Sequence, residues 1–391
     1  MKQGRAKVVH KLPFTIKLFY QTTSFLTPLT HGVDTGSSTL GSAVTDPAGN
    51  VLYMAEVELR NDITTKMEKR ASLRGFRRSR KTRYRPARWN NRGNSRRKDR
   101  ITPSMTSKLD AHVREIRFVN SILPIAETIL ETGTFDPHAL KNPEVLANVR
   151  LYQQGVNYGF ANRKAYVLHR DRYTCQNCGG KSKDKRLHVH HIIFRENGGS
   201  DDAQNLLALC NTCHDGVHKG EIVLSLSGKK KGKLRAATQM NLIRSQLFKR
   251  LPAARETFGY ITKEHRQRFN VEKTHAGDAV CIATEGHKPV LRVDDVLLKK
   301  CVNAGDYRQT MGLRSEKRIP TGKIMGFRKF DKVRYRGRHY FIKGRFSTGY
   351  AILMNIDGQR ADLKPIPKFT GMTRIAARKS WVISQRTTAS I

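Results

Sequence analysis

The alternation of apolar and polar positions over residues 30–59 (THGVDTGSSTLGSAVTDPAGNVLYMAEVEL) predicts two β-strands around the turn Asp46-Pro47-Ala48-Gly49-Asn50. This is an antiparallel hairpin with Asp34 near the end of its first strand. Residues 109–122 (LDAHVREIRFVNSI) carry apolar side chains at helical spacing, whereas 124–136 (PIAETILETGTFD) alternate as a strand does. Ile125, Glu127, Ile129 and Glu131 share one face of that strand. A helix is expected over 237–250 and a further strand at TFGYIT, 257–262. Beyond residue 325 (MGFRKFDKVRYRGRHYFIKGRFSTGYAILMNIDG), short alternating runs and frequent turn residues predict a small β-rich domain. No internal repeat is present.

Charge changes this picture more than any other property. The 391 residues include 74 Lys and Arg against 32 Asp and Glu, a formal net charge of +42. Such an excess repels itself in a compact fold and calls for a polyanionic partner, which makes the chain a nucleic-acid binder. Within 66–100, 16 of the 35 residues are Lys or Arg and two are acidic, with Tyr84 and Trp89 interleaved. The first half of that stretch is helical in pattern as far as Pro86. Arginines on every face leave no apolar stripe, so the helix is expected to lie between segments of nucleic acid, with Arg74, Arg77, Arg78, Arg80, Lys81, Arg83, Arg85 and Arg88 as its phosphate contacts. The length suggests two or three nested or consecutive domains. With no run of eighteen apolar residues and no export signal, an intracellular protein without membrane contact is expected.

Four of the six cysteines form two CxxC pairs, Cys175 with Cys178 and Cys210 with Cys213, separated by 31 residues. Two such knuckles hold one tetrahedral Zn²⁺ with no open position, so this metal is structural. Cys281 and Cys301 are read as apolar fillers. Around the knuckles lie His188, His190, His191, Asn205, His214 and His218, in RLHVHHIIFRENGGSDDAQNLLALCNTCHDGVH. This segment resembles the HNH, or ββα-metal, nuclease family. The resemblance implies His191 as the general base, His190 and His214 as ligands of one Mg²⁺, and Asn205 as the group that orients the base. His188 and His218 either support the ligands or touch phosphate. Many family members carry Asp where His190 stands, a change that bears on metal preference. Neighbouring strand residues point to opposite faces, so His190 and His191 reach one phosphate only if the strand ends there and opens into the loop 194–199. The competing reading of the cysteines and histidines is a zinc finger without catalysis.

A second set of candidate ligands is dispersed. Asp34 stands in GVDTGSS, and His275 and Asp278 in THAGDA share one face if that segment is helical. The middle carboxylate is Glu131 or Glu127. Such dispersed carboxylates, gathered by a fold, hold pairs of divalent ions in RNase H-type nucleases.

Taken in order, these motifs resemble the three split RuvC motifs of the IscB family, transposon-encoded relatives of CRISPR type II effectors. The carried residues are Asp34, Glu131, His275 and Asp278, with RGFRRSRKTRYRPARWNNR similar to the arginine-rich bridge helix. LYQQG at 151–155 precedes the HNH segment as in that family, and MGFRKFDKVRY with GRFSTGY resembles its domain that reads a target-adjacent motif. The first motif departs from the usual pattern, reading DTGS for DPGS, and residues 4–20 match only the second half of the family's leading domain.

The resemblance implies an α+β multidomain protein, an RNase H-like (RuvC) domain split by the bridge helix and an inserted HNH domain. Its expected divisions are a shortened leading domain 1–24, RuvC parts 25–60, 101–158 and 223–290, bridge helix 61–100, HNH domain 159–222 and C-terminal domain 291–391. The implied activity is RNA-guided cleavage of double-stranded DNA, the HNH site taking the guide-paired strand and the RuvC site the displaced one. The implied cofactors are two Mg²⁺ in the RuvC site, one in the HNH site and one Zn²⁺. The implied setting is a monomeric protein bound to a guide (omega) RNA in prokaryotic cytoplasm, associated with the nucleoid. Two other readings remain: a guide-independent HNH endonuclease, and a non-cleaving nucleic-acid-binding factor.

Overall fold

The computed structural model describes residues 4–11, 14–22, 26–79, 101–224, 234–293, 295–303 and 322–387. The chain divides into two units, one of Met1–Gly133 with Met240–Ile391 and the other of Thr134–Gln239. The first stretch holds the hairpin β1 (Ala6–Lys11) and β2 (Phe14–Leu18), then β3 (Leu29–Asp34), β4 (Thr39–Thr45), β5 (Asn50–Glu58), α1 (Ile63–Ser79), α2 (Pro103–Asn120) and β6 (Ile125–Thr132). The second unit contributes α3 (Pro137–Lys141), α4 (Arg163–Arg170), β7 (Leu187–His191), β8 (Leu206–Cys210) and α5 (Asn211–Lys219). Helix α6 (Leu234–Arg250) leads back to β9 (Arg255–Phe258), α7 (Gly259–Arg268), α8 (His275–Thr284), β10 (Val290–Leu291) and β11 (Asp295–Cys301). The chain ends with β12 (Lys332–Tyr335), β13 (Arg338–Arg345), β14 (Ala351–Met354), β15 (Thr373–Ala376) and β16 (Trp381–Thr387).

Two expectations need correction. Residues 30–59 form three strands rather than two, because the Thr-Gly-Ser-Ser run after Asp34 favours a turn over extended pairing, and Lys108 Nζ donates to the Ser37 carbonyl within it. The expected turn closes the second hairpin, where the Asp46 carboxylate accepts from the Ala48 and Asn50 amides. At 257–262 the strand ends at Phe258 and Gly259 opens a helix; six alternating residues are too few to separate the two periods. Of the arginine-rich stretch, α1 runs to Ser79, and Arg80, Lys81, Arg83, Arg85 and Arg88 lie outside the described residues.

In the first unit a mixed sheet runs β16-β11-β5-β4-β3-β6-β9, with β10 also paired to β5. On one face Val33, Leu40, Val57 and Leu130 pack against Leu109 and Ile116 of α2 and Ile243 and Leu247 of α6. On another, Ala43, Val51 and Met54 meet Ala276, Ala279 and Val280 of α8. Each fully buried leucine or isoleucine contributes roughly 1.5–3 kcal/mol. Glycines decide how near α8 comes: a Cβ on Gly32 would lie 2.5 Å from the Ala279 carbonyl, and one on Gly41 would overlap the His275 carbonyl.

Strands β11 and β16 extend this sheet, and β12 to β15 form a separate four-stranded sheet with Val333, Tyr335, Ile342 and Leu353 in its core. Lys299 of β11 is 1% exposed, with Nζ 2.7 and 2.8 Å from the Glu115 carboxylate of α2 and 2.5 Å from the Tyr53 hydroxyl. Its ammonium also lies 4.2 Å from the Phe118 ring and 4.7 Å from that of Trp381.

Among the described residues of the second unit the sheet is β7 paired antiparallel to β8, with α5 following. The sulfurs of Cys175, Cys178, Cys210 and Cys213 all lie within 4.8 Å of one another, inside a core that includes Leu207 and Leu209. Ser182 Oγ donates to Cys210 Sγ at 3.0 Å and Asn177 Nδ2 to Cys213 Sγ at 3.4 Å, as thiolates need. Four convergent thiolates with such donors fit a tetrahedral Zn²⁺.

Two buried imidazoles tie stability to pH. His31 Nε2 is 2.8 Å from Ser42 Oγ, and His112 Nδ1 donates to the Lys108 carbonyl at 2.9 Å. Burial, with the charge of Lys299, holds His31 down to about 3. Burial likewise holds His112 down to about 4, against the opposing pull of its hydrogen bond to the Lys108 carbonyl. Both stay neutral in the folded chain, whereas an unfolded histidine protonates near pH 6.5. Stability is therefore full above that value and falls as the pH drops toward 4, by about 1.4 kcal/mol per pH unit for each imidazole. Denaturant unfolding followed by tryptophan fluorescence across this range should show the decline, and His112→Gln should remove one such increment of slope; an unchanged slope would mean that His112 protonates inside the fold.

Zinc removal should act on the second unit alone. Structural zinc sites contribute on the order of 10–16 kcal/mol of apparent binding energy. Cys210→Ser, or a strong chelator, should abolish bound zinc as read by elemental analysis and open residues 134–239 to protease, while the eight-stranded sheet keeps its protection.

Candidate metal centres

Strand register brings the first two carboxylates together. Strands β3 and β6 are parallel neighbours, and Asp34 and Glu131 are direct partners, so their side chains leave the sheet on one side. Glu127, the alternative, sits opposite Thr30 and ion-pairs with Arg255 at 2.6 Å. Helix α8 supplies the rest. Thr274 caps it by accepting from the Gly277 amide, and His275 and Asp278 follow one turn apart. His275 Nδ1 donates to Asp34 Oδ2 at 2.6 Å, and Arg266 Nε of α7 lies 3.0 Å from Asp278 Oδ1.

This site is crowded with negative charge. Burial, and then the charges of Asp34 and Asp278, push the Glu131 carboxyl up to about 7. Burial and Asp34 raise Asp278 as well, while the hydrogen bond to Asp34 raises His275. Glu131 Oε2 is buried with no hydrogen-bond partner. A set of oxygen donors that repel each other, one of them orphaned, fits divalent cations.

The second centre grows from the end of β7. That strand stops at His191, as the two adjacent histidines require, and the chain turns into the loop expected after it. His190 is buried, and one ring nitrogen of each of His190, His214 and His218 lies within 4.8 Å of the others. Ring centroids are 5.1 Å apart for His190 and His214, 5.0 Å for His190 and His218 and 4.6 Å for His214 and His218. Burial, with the neighbouring imidazoles, lowers His190 to about 4, and its Nε2 has no hydrogen-bond partner. A neutral imidazole with an unused buried nitrogen among two others fits a metal cation.

His191 takes a different neighbour. Its Nε2 lies 2.8 Å from Asp201 Oδ1, which also accepts from Arg195 Nε at 2.7 Å. A carboxylate at Nε2 keeps the proton there and leaves the lone pair on Nδ1. Asn205 was expected to orient this base, but its fully buried amide grips the following loop instead. Its Oδ1 accepts from the Ile193 amide at 3.0 Å, and its Nδ2 donates to the Ile193 and Ser200 carbonyls at 3.0 and 2.8 Å. His188 stacks on His214 with centroids 4.9 Å apart.

His218, expected to support the ligands or touch phosphate, lies one helical turn beyond His214 on the same face of α5 and joins the imidazole cluster. Asp201 was not singled out in the sequence, where a loop without period gave no signal for it. On α1, Arg74 is exposed. Arg77 and Arg78 belong to the same helix. Among the described residues no helix is long and apolar enough to cross a membrane.

Comparison with known proteins bears on both centres. Residues 1–155 match the family model described as RRXRR protein, and residues 175–220 match that described as HNH endonuclease. The type IV methyl-directed restriction enzyme EcoKMcrA of Escherichia coli (strain K12) is 36% identical over 61 residues, which cover 14% of this chain and 22% of the enzyme. Anaredoxin of Nostoc sp. (strain PCC 7120) is 35% identical over 69 residues, 17% of this chain and 88% of that protein. Among solved structures, Streptococcus thermophilus Cas9 in complex with AGGA PAM aligns at a TM-score of 0.31 and 13% identity, over 47% of this chain and 26% of that one. The complex with the AGAA PAM aligns at 0.31 and 12%, over 65% and 32%. The chain thus spans about a fifth of the restriction enzyme's length and between a quarter and a third of these Cas9 chains. The HNH match falls on the cysteine and histidine clusters, the RRXRR match on the segment that carries Asp34, Glu131 and the arginine-rich helix, and the chain belongs to an IscB-like HNH nuclease family.

Proposed function

We propose that this chain is an RNA-guided endonuclease that hydrolyses phosphodiester bonds of double-stranded DNA at two metal-dependent centres. The observation that supports the reading is that one chain gathers two separate groups of metal-ligating residue types, Asp34 and Glu131 on the eight-stranded sheet with His275 and Asp278 on α8, and His190, His214 and His218 at the β7, β8 and α5 module. A binding protein needs neither.

In this reading the first set is an RNase H-like, RuvC-type site for two Mg²⁺, and the second a ββα-metal site in which His190 and His214 hold one Mg²⁺ with His218 beside them. Bound divalent cations would supply Lewis-acid stabilisation of charge on the phosphate. The chain's own residues do the remainder. His191 accepts the proton of the attacking water at Nδ1, Asp201 holds its ring and tautomer, and Asn205 keeps the loop in place beneath it. In the other centre His275 steadies the Asp34 carboxylate.

The net charge of +42, the RRXRR match and exposed Arg74 support a guide-RNA partner, with α1 and the arginines after it as the bridge helix. The HNH site then serves the guide-paired strand, the RuvC-type site the displaced strand, and the C-terminal segment reads a motif beside the target. The working form is one protein chain with its omega RNA in the prokaryotic cytoplasm, at the nucleoid. A guide-independent HNH endonuclease is the second reading, favoured by the 36% identity to a restriction enzyme.

Protein expressed with its flanking genomic DNA should carry a discrete RNA and linearise a matching plasmid in Mg²⁺. Asp34→Ala and His191→Ala should each reduce linearisation to nicking of opposite strands, with the affected strand slowed by on the order of 10²–10⁴-fold. Cleavage without RNA would favour the second reading, and no cleavage under any condition would leave a binding factor. Asp201→Asn, which imposes the wrong tautomer on His191, should slow only the HNH-cut strand, by roughly 10²-fold, in strand-labelled assays.

A further inference from the structure

The two clusters differ in the atoms they offer. Around Asp34 the candidate ligands are three carboxylates, those of Asp34, Glu131 and Asp278, with the single imidazole of His275. At the end of β7 they are imidazoles throughout. One ring nitrogen from each of His190, His214 and His218 lies within 4.8 Å of the others, and no carboxylate belongs to that group. Acids stand only at its margin. Asp201 is taken up by His191 and Arg195, at 2.8 and 2.7 Å. Asp215 Oδ1 lies 3.4 Å from His214 Nδ1, where a carboxylate orients the ring and leaves Nε2 for a metal. His190 is 3% exposed and its Nε2 has no hydrogen-bond partner, so this nitrogen gains from a cation what it lacks from the protein.

We infer that the imidazole cluster is a three-nitrogen site for a first-row transition ion such as Mn²⁺, Co²⁺ or Ni²⁺, with His218 as the third ligand, while the carboxylate cluster takes Mg²⁺. At low metal concentration the ion supplied then decides whether one strand is cut or both. The inference rests on reading the two clusters as phosphodiester-cleaving centres, and it adds the class of ion that each one takes. Mg²⁺ is small, demands near-octahedral oxygen ligation and sheds water reluctantly, so three imidazoles hold it weakly and carboxylates suit it better. Affinity for nitrogen rises along the first row from Mn²⁺ to Cu²⁺, and imidazole is a favoured ligand there. Abundant Mg²⁺ still fills the imidazole site by mass action, whereas a transition ion fills it at far lower concentration.

Binding is read apart from cleavage. Full-length Asp34→Ala protein, in which the carboxylate centre is weakened, is titrated with Co²⁺ and with Mg²⁺ by calorimetry. Co²⁺ should bind more than about tenfold more tightly. His218→Ala, at an exposed position of α5, should weaken Co²⁺ by at least about tenfold, and His190→Asp should narrow the gap between the two ions by returning an oxygen ligand. Elemental analysis showing zinc retained in each variant separates loss of a ligand from loss of the fold. Co²⁺ binding indifferent to both substitutions would overturn the inference.

Strand-labelled cleavage by the wild-type protein, at equal and sub-saturating Co²⁺ or Mg²⁺, reads the consequence. The ratio of the Co²⁺ rate to the Mg²⁺ rate should be more than about tenfold larger for the strand that depends on His191 than for the strand that depends on Asp34. Equal ratios on the two strands would sink the division of ions and leave both centres cutting. Co²⁺ binding that depends on His218, in a protein that cuts neither strand, would sustain the three-nitrogen site and remove the nuclease reading instead.

Discussion

Helix α8 rests on the sheet at backbone contact, and a site assembled from three distant segments depends on that contact. Strand register alone aligns Asp34 with Glu131, since a slip of one residue would turn one of them to the other face. Register has no hold over His275 and Asp278. Their position comes from Gly32 and Gly41, which leave no side chain between β3, β4 and the helix. A methyl group at position 41 would push on the His275 carbonyl and draw that residue away from Asp34, and one at position 32 would push on Ala279 and Ala283 further along the helix. The close approach also explains the crowding of acids, whose mutual repulsion a bound cation would offset.

The second unit reaches order by other means. Its two short strands and single following helix bury too little apolar surface to stand on packing, and four thiolates occupy the middle of its core. The same hairpin ends at His191, and helix α5 begins at the second cysteine knuckle, so one turn carries Cys213 and His214 side by side. Whatever fixes the thiolates thereby fixes the imidazoles.

How much could be read from the chain alone followed the range of the interaction involved. The cysteine spacing was legible because knuckle geometry is local, whereas the spacing of His275 and Asp278 gave one face only on condition of a helix, which α8 supplies. Choosing Glu131 over Glu127 was not, because both lie on one face of β6 and only the parallel register with β3 separates them. The break after Asp34 was hidden by apolar residues on both sides, and the start of α7 by an alternation too short to have a period. Asn205 was visible as a motif, yet its task of gripping the loop at Ile193 and Ser200 is a matter of backbone geometry that composition does not carry. Asp201 had no pattern at all.

The buried ammonium of Lys299 ties the end of the chain to its beginning. It neutralises Glu115 of α2 beneath Tyr53 of β5, and Phe118 and Trp381 close over it. Removing either charge strands the other in hydrocarbon, at a cost of about 3–5 kcal/mol. The final strands are therefore no detachable appendage. A hybrid that borrows a C-terminal portion from a relative must import a cation at position 299 and an aromatic lid at 381, or give up the charge at 115 in the same step. Exchange of this portion between relatives is thereby constrained at a point buried inside the core.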